Sequence, residues 1–259
     1  MNSNKRNLDY IPQWIDEKTF TVNSIKFRTV DIEGNRADTP GEHLVFKNKW
    51  MIESYLGLFS DEMPKTIFEL GIHRGGSTVL FNEMFRPKKL VAIDIAAKRR
   101  PGLDAYISSH SLEHSVKAYY GVDQSDSDTM NRILRQEFGD DGIDLVVDDA
   151  SHFLNETRTS FNLLFPHLNP GAIYVIEDWS WAHGKIGMPD DYEMFYPNRE
   201  PLTKLVFELV LACPSTQNLI ESVYINRNNV VVHRGSGIIE TRPFDIAKCS
   251  LARGRALIN

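Results

Sequence analysis

Residues 143–179, IDLVVDDASHFLNETRTSFNLLFPHLNPGAIYVIEDW, contain two apolar runs that each end in a pair of acids. Ile143, Leu145, Val146 and Val147 form the first run, and Ile173 to Ile176 the second. Both are β-branched without alternation, the pattern of strands buried on both faces of a parallel sheet. Between them Phe161, Leu164, Phe165 and Leu168 recur at helical spacing, and Asn169-Pro170-Gly171 closes the segment, so the unit predicts strand, helix, strand. A right-handed crossover makes the strands parallel and puts their carboxyl ends on one rim. Asp148-Asp149 then stands beside Glu177-Asp178, and four carboxylates at one rim repel one another.

A bound hard cation relieves that repulsion, and so does protonation and solvation of some of the acids; the cation is the expectation adopted. Oxygen-only ligands suit Mg²⁺ or Mn²⁺. His152 stands three residues after Asp149 and has two roles open to it, metal ligand or free imidazole for proton transfer.

With 259 residues, 42% hydrophobic and 25% charged, the chain has the size of one α/β domain with embellishments. A net charge of −6 argues against a nucleic-acid partner, because phosphate binding needs a basic surface. The one basic cluster, Lys98-Arg99-Arg100, fits a solvated loop. Cys213 and Cys249 lack metal-ligand spacing, and neither a signal peptide nor a membrane span is evident, so a cytoplasmic protein is expected.

Phe20–Val22 and Ile25–Val30 predict a hairpin within an appendage of residues 1–40, ahead of a main domain over 41–259. Met51, Tyr55, Leu58 and Phe59 share a helical face. Thr66–Leu70 predicts a buried strand running into Gly71-Ile-His-Arg-Gly75-Gly76-Ser77-Thr78 and a helix. Glycines there let the backbone approach a ligand, and the spacing fits neither GxGxxG nor the phosphate loop. Glu69 suits a ligand with an ammonium group. Leu90–Ile93 predicts a strand ending in Asp94, whose carboxylate can accept both hydroxyls of a ribose. Val116–Tyr120 is a further strand, followed by a polar turn containing Asp123 and Gln124 and by a helix marked by Met130, Ile133, Leu134 and Phe138. Trp179, Trp181, Tyr192, Phe195 and Tyr196 are candidates for the floor of an organic pocket, or for loop packing. Leu202, Leu205, Val206 and Leu209 mark another helix. Ser222–Ile225 and Val230–His233 predict a terminal hairpin, and the tail from Gly235 gives no clear pattern.

FELGIHRGGST (68–78) and AID (92–94) resemble the first motif and the ribose-binding acid of the class I S-adenosylmethionine-dependent methyltransferases. VDQSD (122–126), DDASH (148–152) and IEDW (176–179) are similar to motifs of the Mg²⁺-dependent sugar O-methyltransferases of antibiotic biosynthesis, the mycinamicin, tylosin and novobiocin type. The resemblance implies a Rossmann-like α/β fold with a seven-stranded, mostly parallel sheet ending in an antiparallel hairpin. It implies that Asp149, Glu177 and Asp178 bind Mg²⁺ (or Mn²⁺) and that His152 is the general base. The cofactor, S-adenosylmethionine, falls to Glu69, Gly71, Gly75, Ser77, Asp94, Asp123, Gln124 and Asp148. Catechol-type relatives place lysine where His152 stands and asparagine where Asp178 stands, which moves the expected acceptor from phenols to a sugar hydroxyl. The expected partner is a small hydroxylated, glycosylated acceptor, with no nucleic acid and no membrane and with association into homo-oligomers left open. The alternatives are a phenol or polyketide acceptor, a cephalosporin-hydroxylase-like activity, and a non-catalytic nucleoside- or metal-binding module.

Overall fold

The computed structural model describes residues 10–30, 41–59, 62–183, 199–239 and 243–256. The chain forms two compact units, Met1–Ile67 with Ile72–Gly121, and Phe68–Gly71 with Val122–Asn259.

In the first unit β1 (Gln13–Trp14), β2 (Thr19–Val22), β3 (Ile25–Thr29) and β4 (Glu42–Val45) form a four-stranded sheet in chain order. The predicted hairpin is β2–β3, turning at Asn23 and Ser24, both at positive φ. The parallel partner of β3 is β4, so this sheet takes strands from both sides of residue 40. Helix α1 (Lys49–Gly57) is capped by the Asn48 side chain and buries Met51, Ile52, Tyr55 and Leu56. Strand β5 (Thr66–Leu70), of which residues 68–70 belong to the second unit, is buried at every position and runs into the loop before α2 (Gly76–Phe85). Next come β6 (Lys89–Asp94), α3 (Pro101–Ser109) and β7 (Val116–Tyr120), with β6 and β7 parallel. Arg99 of the basic cluster pairs with Asp104, in keeping with a solvated loop.

In the second unit α4 (Ser127–Glu137) leads to β8 (Ile143–Asp148), α5 (Leu154–Leu164) and β9 (Leu168–Ile176). Helix α6 (Thr203–Ser215) precedes the predicted hairpin of β10 (Ile220–Ile225) and β11 (Val230–Arg234). The tail adds α7 (Ile246–Cys249) and a two-stranded ribbon of β12 (Leu251–Ala252) and β13 (Arg255–Ala256). Seven strands lie in one sheet in the order β10-β11-β9-β8-β5-β6-β7, the expected mostly parallel sheet with an antiparallel end. Among the described residues no helix is long and apolar enough to cross a membrane.

The boundary after α5 departs from the sequence expectation. The helix stops at Leu164, a 3-10 turn covers Phe165–His167, and Leu168 already pairs with Ile143 in the sheet. Between that pair and Leu145↔Ile173, β8 advances two residues (145 − 143) and β9 five (173 − 168), so Asn169-Pro170-Gly171 is a bulge inside the strand. Gly171 supplies the φ of +82° the bulge needs.

Glycine 76 illustrates a packing demand of the first unit. A β-carbon there would lie 1.9 Å from the carbonyl oxygen of Leu44, so β4 crosses the start of α2 in contact with its bare backbone. Because the obstacle is backbone, Gly76→Ala is expected to destabilise the protein by about 2–4 kcal/mol, the range of severe steric changes, read as a lower urea midpoint. A loss below about 0.5 kcal/mol would show that β4 can shift at little cost.

Candidate active site

Strands β8 and β9 run parallel with Asp148 opposite Ile176, so both acid pairs emerge at one rim. The Glu177 amide donates to the Asp148 carbonyl at 2.9 Å, carrying the ladder one step beyond the strands. The Asp149 amide donates to the carbonyl of Leu70 at 2.9 Å, tying the end of β5 to the same place. Gly71, at φ +99°, lies so close that a β-carbon would stand 2.1 Å from the Asp149 carbonyl oxygen. The approach that requires glycine here is therefore of protein backbone to protein backbone, where the sequence suggested approach to a ligand. Gly75 is similar: its φ is +86° and a β-carbon would meet the Leu103 side chain at 2.8 Å.

Asp148 points inward. Its carboxylate, 2% exposed, accepts from Ser160 Oγ (2.7 Å), Tyr174 Oη (3.0 Å) and Gln124 Nε2 (3.2 and 3.3 Å). Gln124 also donates to Ser160 Oγ at 2.9 Å, and its own carbonyl accepts the Ser151 amide at 2.9 Å. Burial pushes the Asp148 carboxyl up to about 6, against the opposing pull of its bonds from Ser160 and Tyr174. Burial and the neighbouring carboxylate hold the Tyr174 phenol well above its usual range, so it remains a donor.

Asp149, His152 and Asp178 converge: one donor atom from each lies within 4.8 Å of the others, and His152 Nε2 stands 3.8 Å from Asp149 Oδ1. Opposite ligands in a shell of about 2.1 Å metal–oxygen bonds are about 4.2 Å apart, so the cluster fits a small divalent cation with slight closure. The expected triad contained Glu177 in place of His152; Glu177 is 1% exposed and is not in this group. His152 (φ +58°) and Asp178 (φ +53°) are both left-handed, a conformation that costs about 1–3 kcal/mol and persists where surrounding structure enforces it.

In the first unit Asp94 accepts the amides of His73 and Ala96, each at 2.7 Å, which fastens the glycine loop to the end of β6. A carboxylate offers about four acceptor sites, so capacity remains for the hydroxyls of a ribose. Ser77 is the second residue of α2 and half-buried, while Glu69 is 1% exposed inside β5. In the second unit Asp123 accepts from the amide and hydroxyl of Ser125 at 2.8 and 2.7 Å.

Trp179 and Trp181, expected as pocket floor, both make indole hydrogen bonds, to the carbonyls of Asn226 and His152, each at 2.8 Å. Sequence reading missed these roles, along with those of Ser160 and Tyr174, because their partners are 12 to 47 positions away and hidden in helix and strand faces. Tyr192, Phe195 and Tyr196 lie outside the described residues.

A family described as a methyltransferase domain matches residues 68–179. Mycinamicin VI 2''-O-methyltransferase of Micromonospora griseorubida is 37% identical over 135 residues, covering 51% of this chain and 33% of the relative. L-olivosyl-oleandolide 3-O-methyltransferase of Streptomyces antibioticus is 46% identical over 128 residues, covering 49% and 27%. Among solved structures, the MycE methyltransferase of the mycinamycin pathway in complex with Mg, SAH and mycinamycin VI matches with a TM-score of 0.52 and 26% identity. That match covers 74% of this chain and 51% of MycE. The aligned part is thus a third or less of the length of the two curated relatives and about half that of MycE.

Removing one donor to the enclosed carboxylate tests how firmly the rim is held. Tyr174→Phe is expected to cost about 1–3 kcal/mol, the usual cost of leaving a buried polar group short of a partner, in urea denaturation at neutral pH. An unchanged midpoint would mean that Ser160 and Gln124 suffice.

Proposed function

We propose that this chain, whose residues 68–179 carry a methyltransferase domain, transfers the methyl group of S-adenosylmethionine to a sugar hydroxyl of a glycosylated natural product, assisted by Mg²⁺ or Mn²⁺. The observation that carries this reading is the convergence of Asp149, His152 and Asp178 at one rim of a methyltransferase-type sheet. Relatives named for methylating sugars of macrolides, and a structural neighbour holding Mg and SAH, support it.

Asp94 is assigned the ribose hydroxyls, with Gly75 and Ser77 shaping the turn and helix start after β5. Glu69 and Asp123 are assigned to the cofactor by the resemblance alone. Gly71 serves the backbone of Asp149, and Asp148 and Gln124 serve as supports of the 148–152 loop, since their polar groups already engage one another and Ser160. Asp149 and Asp178, with Glu177 beside them in sequence, would hold the cation.

When bound, S-adenosylmethionine supplies a methyl carbon on a positively charged sulfur, and the cation supplies charge that makes a hydroxyl more acidic. Asp94 and the 71–77 turn would hold that cofactor, which would supply its methyl to the acceptor oxygen and keep the carbon–sulfur electron pair on sulfur. His152 takes the hydroxyl proton, and the residues that fix its backbone aim the imidazole. A second reading has a specific observation in its favour: His152 lies within ligand distance of both aspartates, so it could be a metal ligand, with the base elsewhere.

The test pairs glycosides with their aglycones as acceptors, using labelled S-adenosylmethionine with Mg²⁺ and after exhaustive chelation, read by mass spectrometry. Transfer to the glycosides that chelation abolishes and Mg²⁺ restores is expected. Methylation of the aglycones instead would move the acceptor to the phenol or polyketide class, and full turnover after chelation would remove the cation. In the same assay His152→Ala is expected to lower kcat by roughly 10²- to 10⁴-fold, the range for a positioned base, with cation binding retained in calorimetry. Loss of cation binding in that variant would make His152 a ligand.

A further inference from the structure

We infer that Trp181 is a positioning residue for the transfer proposed above, setting the placement of His152 relative to Asp178 through one hydrogen bond to the main chain of each. The inference rests on that functional reading and on four observations.

The backbone N–H of Trp181 donates to the carbonyl of Asp178 at 3.3 Å, while its indole N–H donates to the carbonyl of His152 at 2.8 Å. The same side chain stands edge-on to Phe153, the neighbour of His152, with ring centroids 5.7 Å apart. Both residues whose carbonyls it takes are left-handed and belong to the acid–imidazole cluster. Such a conformation relaxes unless something holds it, and the peptide after a left-handed residue is a direct place to hold it.

Trp181 is itself held from behind. Trp179 and Ser180, just before it, are latched to the turn between β10 and β11, donating to the carbonyls of Asn226 and Arg227 at 2.8 and 2.5 Å. The loop carrying His152 is fixed on either side of the tryptophan bond: the Ser151 amide donates to Gln124, and the Leu154 amide to the carbonyl of Glu200 at 3.0 Å. In between, the peptide that follows His152 is engaged at both ends: its N–H, on Phe153, donates to the neighbouring Ser151 Oγ at 3.3 Å, and its carbonyl accepts from Trp181, 29 positions along the chain. Rotation of that peptide would swing the imidazole away from Asp149 and Asp178 without disturbing the strands. Trp181 supplies none of the clustered donor atoms; it acts through His152 and Asp178.

The decisive variant is Trp181→Phe, which keeps an aromatic ring against Phe153 and the backbone bond to Asp178 but removes the indole donor. A benzothienylalanine at 181, an isostere with sulfur in place of the N–H, serves if the phenylalanine variant folds poorly. Expected is a fall in kcat of about 10- to 100-fold, the scale of a misplacement of about 1 Å. KM for both substrates should stay within about threefold, since the bond serves the chemical step. The crystal structure of the variant should show His152 away from positive φ, or its imidazole displaced from Asp178 by about 1 Å or more.

Unchanged kcat per folded enzyme, or His152 unmoved in the variant crystal, would overturn the inference. A fall in turnover explained wholly by a lower melting temperature would overturn it too, as a purely structural effect. Should the wild-type chain methylate no acceptor, the functional reading fails, and the crystallographic comparison still decides whether Trp181 places His152.

Discussion

The second unit depends on a carboxylate with nowhere to go. Asp148 ends a strand whose residues are buried, and an unpaired charge in such a place is expensive. Three side chains from separate elements meet it: Ser160 from α5, Tyr174 from β9 and Gln124 from the turn before α4. Each bond fixes an element relative to the end of β8, so the cost of burial is offset by bonds that also set the rim. The next residue, Asp149, leaves that fixed point with its amide on Leu70 and its carbonyl against Gly71, and its side chain enters the cluster in a defined direction. A polar network satisfied to this degree specifies one arrangement, where an apolar core tolerates several.

Among the described residues, three of the nine non-glycine residues at positive φ fall in the motifs. His152 and Asp178 are left-handed, and in the first unit so is His73, whose amide is taken by Asp94. Each conformation is held by a hydrogen bond: the Trp181 indole donates to His152 from a distant position, the Trp181 amide donates to Asp178 within its own turn, and the His73 amide donates to the β6 carboxylate of Asp94. Left-handed backbone at non-glycine residues is uncommon and concentrates where function over-determines geometry. That three such residues lie in the glycine, DDASH and IEDW motifs links the motifs by a common physical device.

The strands were legible because they are pure local signals. Thr66–Leu70 and Val116–Tyr120 were read to the residue, since β-branched and aromatic runs bounded by turn residues leave little choice. The step from α5 to β9 was misplaced because Leu168 fits both the helical period and the strand, and only its pairing with Ile143 decides. The glycines also answer a packing demand the sequence hides: Gly71 and Gly76 accommodate the Asp149 and Leu44 carbonyls, 78 (149 − 71) and 32 (76 − 44) positions away. Glu69 read as a rim acid and is enclosed in its strand. Sequence spacing brought His152 to the aspartates, yet the cluster it forms holds His152 where Glu177 was expected. Trp181 read as either pocket floor or loop packing, and its bond to His152 was not foreseen because the reach of an indole N–H to a distant carbonyl leaves no local signature.

The two roles open to His152 differ in what the cation demands. Its side chain is 30% exposed and its Nε2 is 3.8 Å from Asp149 Oδ1, beyond hydrogen-bond distance and within reach of a shared cation. Mg²⁺ and Mn²⁺ favour oxygen donors, and Mg²⁺ retains several waters, so two aspartates satisfy much of what it asks of the protein. With such an ion the imidazole has little to gain by ligation and is left to receive a proton. A softer ion such as Zn²⁺ binds imidazole well and would recruit the same side chain as a ligand, removing the base from the reaction. Under the proposed reading, the mixed donor set at this rim would make the hardness of the cation, more than the number of acids, the property that separates a working site from an occupied but inert one.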